Sequence, residues 1–553
     1  MDTMNTAELV IQDLDHLGLI AGIIDELDLV ALINTELGEH PQEHISAGQV
    51  VKALILNCLG FLSAPLYLFS QFFEGKATTH LLGEGIEPRF LNDSRIGQVL
   101  DKLYKRGVTE VFLKLALAAV KRFGVSVAHV HGDSSSFYVH GKYGGELGTE
   151  AEPGSEEGAE EVPIQVKHGY SRDHRPDLRQ FTLNLITSTD GDVPLGLRVG
   201  NGNEVDSKVL VPFLRQWQES WQEEGGISPQ VFAGDAALYT EENLQILGSL
   251  PWITRVPATV GEAQEVMKRY RDEGLQECGL AGYRVGEVCS EYGGVRQRWV
   301  VVESQARREA DERQLEKQVK RLGQQYESGL KQLERKEFAC EADARRAVEE
   351  WGKQLSYYVV REVEVEIRGH YGKRGRPKAG EEPSHYSYHL KARLELNSEE
   401  VEAKRGWAGR FIVATNCLEE QEWPAAKVLK EYKDQTCERG FRFLKDPLFF
   451  VSRVYLKSRQ RLMVMAMLMG VSLLVYSLGQ RQVRQALKQE EASLPNQKGK
   501  GTQRPTMRWL MQCLQAVHIV WREGVKYLSP LNERQRQILK YFSPHCRKYY
   551  LLC

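Results

Sequence analysis

The sequence predicts a multidomain protein of mixed α/β class: an α/β core interrupted by an α+β insertion, preceded by an all-helical domain and followed by a helical tail. Three observations predict it. At 553 residues the chain is too long for one ordinary core. Helical periodicity fills residues 1–122 and then gives way to short strand-like runs over 125–256. A charged stretch with a heptad-like seam at 315–333 separates those runs from another apolar strand at Phe411–Thr415.

The elements follow in order. Helices are expected at Thr6–Gly18, Ile23–Leu37, Ser46–Gly60, Pro65–Phe73, Ser94–Gly107 and Thr109–Phe123, with Asn92-Asp93-Ser94 supplying N-cap chemistry for the fifth. These define a helical domain over 1–124. Over 125–256, strands are expected at Val125–His131, Gln180–Thr187, Val193–Val199, Gln230–Gly234 and Trp252–Val256, with helices at Val205–Glu223 and Thr240–Leu247. That order suits a mixed α/β layer. Gly144–Glu161, rich in Glu and Gly, reads as a flexible acidic excursion.

Residues 257–408 read as an insertion. It holds a hairpin around Tyr292-Gly293-Gly294, an amphipathic helix marked by Leu315, Val319, Leu322, Tyr326, Leu330 and Leu333, and a second helix at Glu341–Gln354. Two alternating strands, at 359–367 and 386–394, flank a basic loop. The core resumes over 409–480, with a helix expected at Ala425–Lys445. Residues 481–553 form a basic, mostly helical C-terminal region broken by a polar loop at Glu490–Pro505.

Net charge is −3, which announces no polyanion binder. The distribution is more telling. Residues 1–50 hold ten Asp/Glu and no Lys/Arg, whereas residues 496–553 hold eleven Lys/Arg and two Glu. Residues 421–461 carry ten Lys/Arg against five acids, a balance that suits a polyanionic partner. The nine cysteines form no C-x-x-C pair, which favours a reducing compartment over a disulfide framework or zinc ribbon. Met1–His16 is acidic and does not read as a signal peptide. The apolar run 462–478 is at the short edge for a membrane span and reads as a buried helix.

Three acids stand out. Asp133 follows Val127–Gly132, and Asp235 follows Gln230–Gly234, both apolar runs that place a carboxylate at a strand end. Glu438 lies among cations in the stretch Tyr432–Lys445, with Arg439 adjacent, Arg442 one turn on and Lys445 seven residues on. For each Asp the bland reading is a turn or cap, and for Glu438 a surface ion-pair ladder. His129, His131 and Asp133 alternate on one strand face, but no second ligand cluster supports a zinc site. No P-loop is present, so ATP is not implied.

Together these segments resemble the DDE transposases of bacterial insertion sequences, in the group whose third acid sits in a Tyr-Arg-Glu-Lys helix. The supporting segments are His168–Gln180 with its Tyr-Ser-Arg-Asp-x-Arg-Pro-Asp run, Gly234-Asp235, Ile253-Thr254-Arg255, Ala414-Thr415-Asn416 and Tyr432–Lys445. The resemblance implies an RNase H-like catalytic core interrupted before the third acid, and the 203 positions from Asp235 to Glu438 accommodate such an interruption. It implies Asp133, Asp235 and Glu438 as the catalytic, metal-binding triad for two Mg²⁺ ions, with Mn²⁺ able to substitute. Tyr432, Arg439, Arg442 and Lys445 are implied as DNA contacts. Two features depart from the group: Gln435 stands where Arg is usual, and Tyr432 to Glu438 is one residue short.

The expected activity is two-metal DNA cleavage followed by strand transfer at insertion-sequence ends. The expected partners are terminal inverted repeats, target DNA and a second copy in a synaptic homodimer, in the bacterial cytoplasm on the nucleoid, with no membrane. Arg374-Gly375-Arg376-Pro377 resembles an AT-hook core that could lie in a narrow minor groove. Two other outcomes stay open: a transposase-derived DNA-binding protein without catalysis, and a nuclease without strand transfer.

Overall fold

The computed structural model describes residues 9–61, 69–140, 162–173, 175–270, 274–372, 382–434, 436–447 and 458–552. The acidic excursion, Gln435, and the Arg374 and Arg376 of the AT-hook-like loop lie outside them.

The described residues open with a strand inside the stretch expected to be helical: β1 is Val10–Asp13. Helices then follow as α1 (Leu17–Leu27), α2 (Leu29–Leu37), α3 (Ala47–Cys58), α4 (Phe69–Phe72), α5 (Thr78–Leu82), α6 (Asp93–Arg106) and α7 (Val108–Phe123). Local chemistry sets their ends. A Ser46/Gln49 capping box opens α3, and the Asn92 side chain accepts from the Arg95 amide at the start of α6.

Next come β2 (His129–Val139), β3 (Arg179–Ser188), β4 (Pro194–Gly200), α8 (Asp206–Glu223), β5 (Val231–Gly234), α9 (Glu241–Leu247), β6 (Trp252–Arg255), α10 (Gly261–Arg269), β7 (Gln276–Glu277), β8 (Tyr283–Tyr292) and β9 (Val295–Ser304). A long helix, α11 (Gln305–Arg335), leads to α12 (Glu341–Gly352), β10 (Tyr358–His370), β11 (His385–Leu396) and α13 (Ser398–Arg405). The chain returns as β12 (Arg410–Thr415), α14 (Ala425–Lys433), α15 (Thr436–Leu444) and α16 (Arg459–Gln489).

One nine-stranded mixed sheet organises the molecule, in the order β4-β3-β2-β5-β6-β12-β9-β8-β7. The meander β2-β3-β4 is antiparallel, whereas β5 runs parallel to β2 and β6 parallel to β5. The hairpin expected inside the insertion extends this sheet, because β9 pairs along the whole of β12. Only α11 through α13 and the β10-β11 ribbon stand apart, with small clusters of their own around Phe338, Val348 and Leu390 and around Leu315, Tyr357 and Val401.

The apolar helix α16 is long and apolar enough to cross a membrane, yet 89% of its most apolar window is buried inside the fold. It packs against α3, α6, α7 and β4, and Met463 and Met467 are fully enclosed. Its contacts on several sides explain why it is apolar all round.

The C-terminal region is less helical than its sequence suggests. It holds β13 (Leu494–Pro495), β14 (Gly501–Thr502), α17 (Met507–Cys513), β15 (His518–Arg522), β16 (Val525–Leu528), α18 (Glu533–Lys540) and α19 (Pro544–Arg547). β15 pairs with β1, and α19 packs on α1. The N-terminal segment of the chain is therefore neither all-helical nor separate from the tail. The helical pattern expected over Thr6–Gly18 gives way to a strand at Val10–Asp13 because β15 supplies a backbone partner more than 500 positions away, which no local pattern announces.

Candidate active site

Asp133, Asp235 and Glu438 line one cavity of about 150 Å³, together with His131, Arg172, Tyr432 and Cys437. The two aspartates arrive on neighbouring parallel strands. Gly132 of β2 is in register with Gly234 of β5, so the next residues, Asp133 and Asp235, fall side by side. Adjacent strands are about 4.8 Å apart.

Asp133 is not at a strand end. β2 continues to Val139 against β3, and only its partner β5 stops at Gly234. The run Ser134-Ser135-Ser136 is polar but buried, and the Ser134 hydroxyl is satisfied by the Asn184 side chain of β3. Asp235 does end its strand. Its Oδ1 accepts from the Ala237 amide at 2.9 Å, and its carbonyl accepts from Thr254 Oγ1 at 2.6 Å.

Glu438 comes from α15. The expected continuous helix over Ala425–Lys445 is two helices, since Asp434 leaves helical geometry after α14. Tyr432 thus belongs to α14 and Glu438 to α15, although both line the cavity. The break bears on the short Tyr432-to-Glu438 interval, which a single helix would have to absorb as a rotation of one face. Cys437 anchors α15 to the sheet: its Sγ lies 3.3 Å from the His131 carbonyl and 3.1 Å from Thr187 Oγ1. Glu438, the next residue, is exposed and has no ion-pair partner among the described residues. The surface ladder is thereby excluded.

Electrostatics in the cavity favour an added cation. Burial, then the neighbouring Asp235 charge, push the Asp133 carboxyl up to about 7. Burial also raises the Asp235 carboxyl. One guanidinium offsets them: Arg172 stands 3.6 Å from Asp133 and is paired on its other side with Asp206. The Oδ1 atoms of Asp133 and Asp235 accept from backbone amides, and among the described residues no hydrogen bond reaches either Oδ2. Two carboxylate oxygens on cavity-lining residues thus lack a hydrogen-bond partner among the described residues, a donor set that suits a hard divalent cation. Among the described residues no three His, Cys, Asp or Glu side chains stand close enough to share one ion. The aspartates form the near pair, and Glu438 completes the lining without closing on them.

The other expected contacts are dispersed. Arg439 binds Asp192 through two hydrogen bonds of 2.7 Å and also pairs with Asp434. Arg439 and Arg442 line a different cavity, not the rim of this one. Lys445 pairs with Asp173 at 2.9 Å and lies over the Phe137 ring. Arg439 and Lys445 are thus each engaged by an acid on another segment, Asp192 and Asp173.

Arg172 and Asp206 were not singled out by the sequence. Arg172 lay within the Tyr170–Asp177 run, which was the available signal, but its partners come from distant segments. That run is itself a built loop. The Arg172 amide donates to Ser136 Oγ at 3.2 Å, Arg175 pairs with Asp177, and Gln180 Nε2 donates to the Tyr170 and Gly202 carbonyls. Ala414-Thr415-Asn416 secures the strand ends: Thr415 Oγ1 donates to the Trp252 carbonyl at 2.6 Å, and Asn416 Oδ1 accepts from the Trp252 amide at 2.8 Å.

Residues 9–117 match a family described as a domain of unknown function (DUF4277), which covers the helical N-terminal segment and not the carboxylate cavity. No curated protein matches the chain. Among solved structures, the chain is similar to a chain of a piggyBac transposase synaptic complex with hairpin DNA, at 9% identity and a TM-score of 0.35, over 91% of this chain and 79% of that one. A likeness of that size does not establish a shared fold.

Proposed function

We propose that the protein is a transposase that cleaves DNA and transfers the cut strand at insertion-sequence ends, using Asp133, Asp235 and Glu438 on an RNase H-like core. The observation that carries this reading is the meeting of three acids, from two adjacent strands and a helix some 200 positions on, in one cavity. The element order supports the fold reading: an antiparallel meander, a helix, two parallel strands with a helix between them, and an interruption before the third acid.

In this reading Asp133 and Asp235 would hold divalent ions, and Glu438, which lines the same cavity without closing on the aspartates, would move in as the third ligand. Bound Mg²⁺ or Mn²⁺ would supply charge neutralisation and a more acidic bound water or 3′-hydroxyl, which is what in-line displacement at phosphorus requires. Arg172 neutralises the aspartates and braces Asp133 against Asp206. Tyr432 walls the cavity beside Glu438. DNA, as terminal repeats and target, is the proposed substrate, and a homodimer on the nucleoid the proposed assembly.

The experiment is cleavage and joining of DNA carrying the repeats that flank the gene, with Mg²⁺ or Mn²⁺. Wild type should nick the repeat ends and yield joined products, and Asp235→Asn should bind the same DNA without cutting it. Cutting by Asp235→Asn at the wild-type rate would refute the assignment. Cutting without joined products would favour a nuclease.

A further inference from the structure

A second cavity, of about 280 Å³, opens between α15, α16 and the segment leading into α17. Four arginines line it, Arg439, Arg442, Arg484 and Arg508, against two acids, Asp192 and Asp446. The acids are already engaged: Asp192 holds Arg439, and Asp446 holds Arg508. Arg442 is exposed and has no ion-pair partner among the described residues. Arg484 donates Nε to the Pro505 carbonyl at 3.0 Å, a bond that leaves its charge unmatched. Burial, with repulsion from Arg504 and Arg439, lowers its proton affinity despite Asp192.

A cavity that gathers two uncompensated guanidinium groups is poised for an anion with several oxygens. Its position says which. Glu438 and Arg442 are both exposed and lie one turn apart on the same face of α15, about 6 Å along the axis. One strand of duplex DNA rises about 3.4 Å per phosphate. Because the phosphates lie far off that axis, neighbours on one strand are separated by about twice the axial rise, so a strand with one phosphodiester at the carboxylates carries the next phosphate to Arg442.

We propose that Arg442 and Arg484 form a phosphate-gripping subsite for the DNA strand, next to the carboxylate cavity. This rests on the proposed action on DNA. The subsite fixes the strand by its backbone, without reading bases, and Arg439 and Arg508 serve as its walls.

The test is salt-dependent binding of a 30-base-pair duplex of arbitrary sequence by the full-length protein. Wild type is compared with Arg442→Gln, Arg484→Gln and the double variant, each checked for an unchanged circular dichroism spectrum. Each lost contact should reduce the slope of log affinity against log salt by about one unit, and the double variant by about two. Because Arg442 is exposed, its single variant gives the result even if Arg484→Gln disturbs folding. Unchanged affinity and slope in Arg442→Gln, with wild type binding normally, would overturn the subsite and leave the transposase reading intact. Failure of wild type to bind any duplex at low salt would instead remove that reading. If inorganic phosphate stabilises wild type but not the double variant while both bind DNA alike, the cavity is a small-anion site and the proposal fails.

Discussion

The Arg172 guanidinium stands 3.6 Å from the Asp133 carboxylate, while Asp206 holds its other side. Arg172 is thus the cation that offsets the charge of two adjacent, half-buried aspartates. Arg172→Gln should lower stability in EDTA by about 1–3 kcal/mol, the cost of leaving partly buried polar groups short of a partner. Added MnCl2 should then raise the melting temperature of the variant more than that of wild type. Equal stabilisation of the two proteins would show that Arg172 and the ion do not share a site.

Glu438 makes no ion pair among the described residues, so its removal leaves no stranded cation. Glu438→Gln should melt within about 1 °C of wild type, as expected for a change at an unpaired surface position. Metal-dependent cleavage should fall about a hundredfold or more, since a lost ligand forfeits several kcal/mol of transition-state stabilisation. Retained cleavage with the same metal response would remove Glu438 from the triad.

Far from the cavity, Lys52 and Asp25 form a buried ion pair of 2.6 Å. Tyr549 accepts from Lys52 at 2.9 Å and donates to Asp25 at 2.7 Å, and Lys548 reaches the same carboxylate. Burial alone would raise the Asp25 carboxyl, but Lys52, Lys548 and Tyr549 together hold it below its usual value. Lys52→Met should cost about 3–5 kcal/mol by leaving Asp25 buried and short of its main partner. The double change Lys52→Met with Asp25→Asn should recover a good part of that loss in urea melts. A double variant no more stable than Lys52→Met would mean that packing of the lysine stem, not charge, sets the cost.

His16 is buried, donating from Nε2 to the Leu59 carbonyl and accepting at Nδ1 from Gln515. Burial pushes its pKa down to about 4. The neutral ring is therefore the folded form. Its contribution is complete above the unfolded value of about 6.5 and is lost as pH falls toward 4, at about 1.4 kcal/mol per pH unit, or roughly 3 kcal/mol in all. His16→Leu should be less stable at pH 7, yet lose less stability than wild type between pH 6.5 and 4. Parallel stability curves for the two proteins would exclude His16 as an acid-sensitive point.

Gly22 of α1 faces α19 so closely that an added Cβ would lie 2.3 Å from the Cys546 Cα. The neighbour is backbone and cannot rotate away. Gly22→Ala should therefore displace α19 and cost about 1–3 kcal/mol through overpacking. Hydrogen exchange should quicken in residues 544–550 before the nine-stranded sheet is affected. Unchanged protection there would show that the C-terminal helix is not held by this contact.

Much of the sheet is legible in the sequence. The apolar runs at 180–187, 193–199, 230–234, 252–256 and 411–415 all form strands, because a strand buried on both faces must be apolar along its length. The two Gly-Asp endings and the acid in the amphipathic segment 432–445 were visible as well, since residue type and local period are local properties. The sequence did not disclose the break at Asp434, the continuation of β2 through three serines, or the pairing of β1 with β15. In the last two cases a distant partner overrode the local preference: Asn184 satisfied Ser134, and the His518–Arg522 strand took up Val10–Asp13.

Charge was the most misleading local signal. The basic C-terminal region reads as charge for a polyanionic partner, but part of that charge is spent on the acidic N-terminal segment, in Lys548–Asp25 and His518–Asp13. The cations of α15 likewise divide between acids on other segments and a cavity of their own. By itself the sequence determined which segments are strands or helices and which residue types carry the chemistry, because periodicity and side-chain chemistry act over a few residues. Only the tertiary structure decided which charges are neutralised and which remain free for a partner, because that depends on distances between groups hundreds of residues apart along the chain.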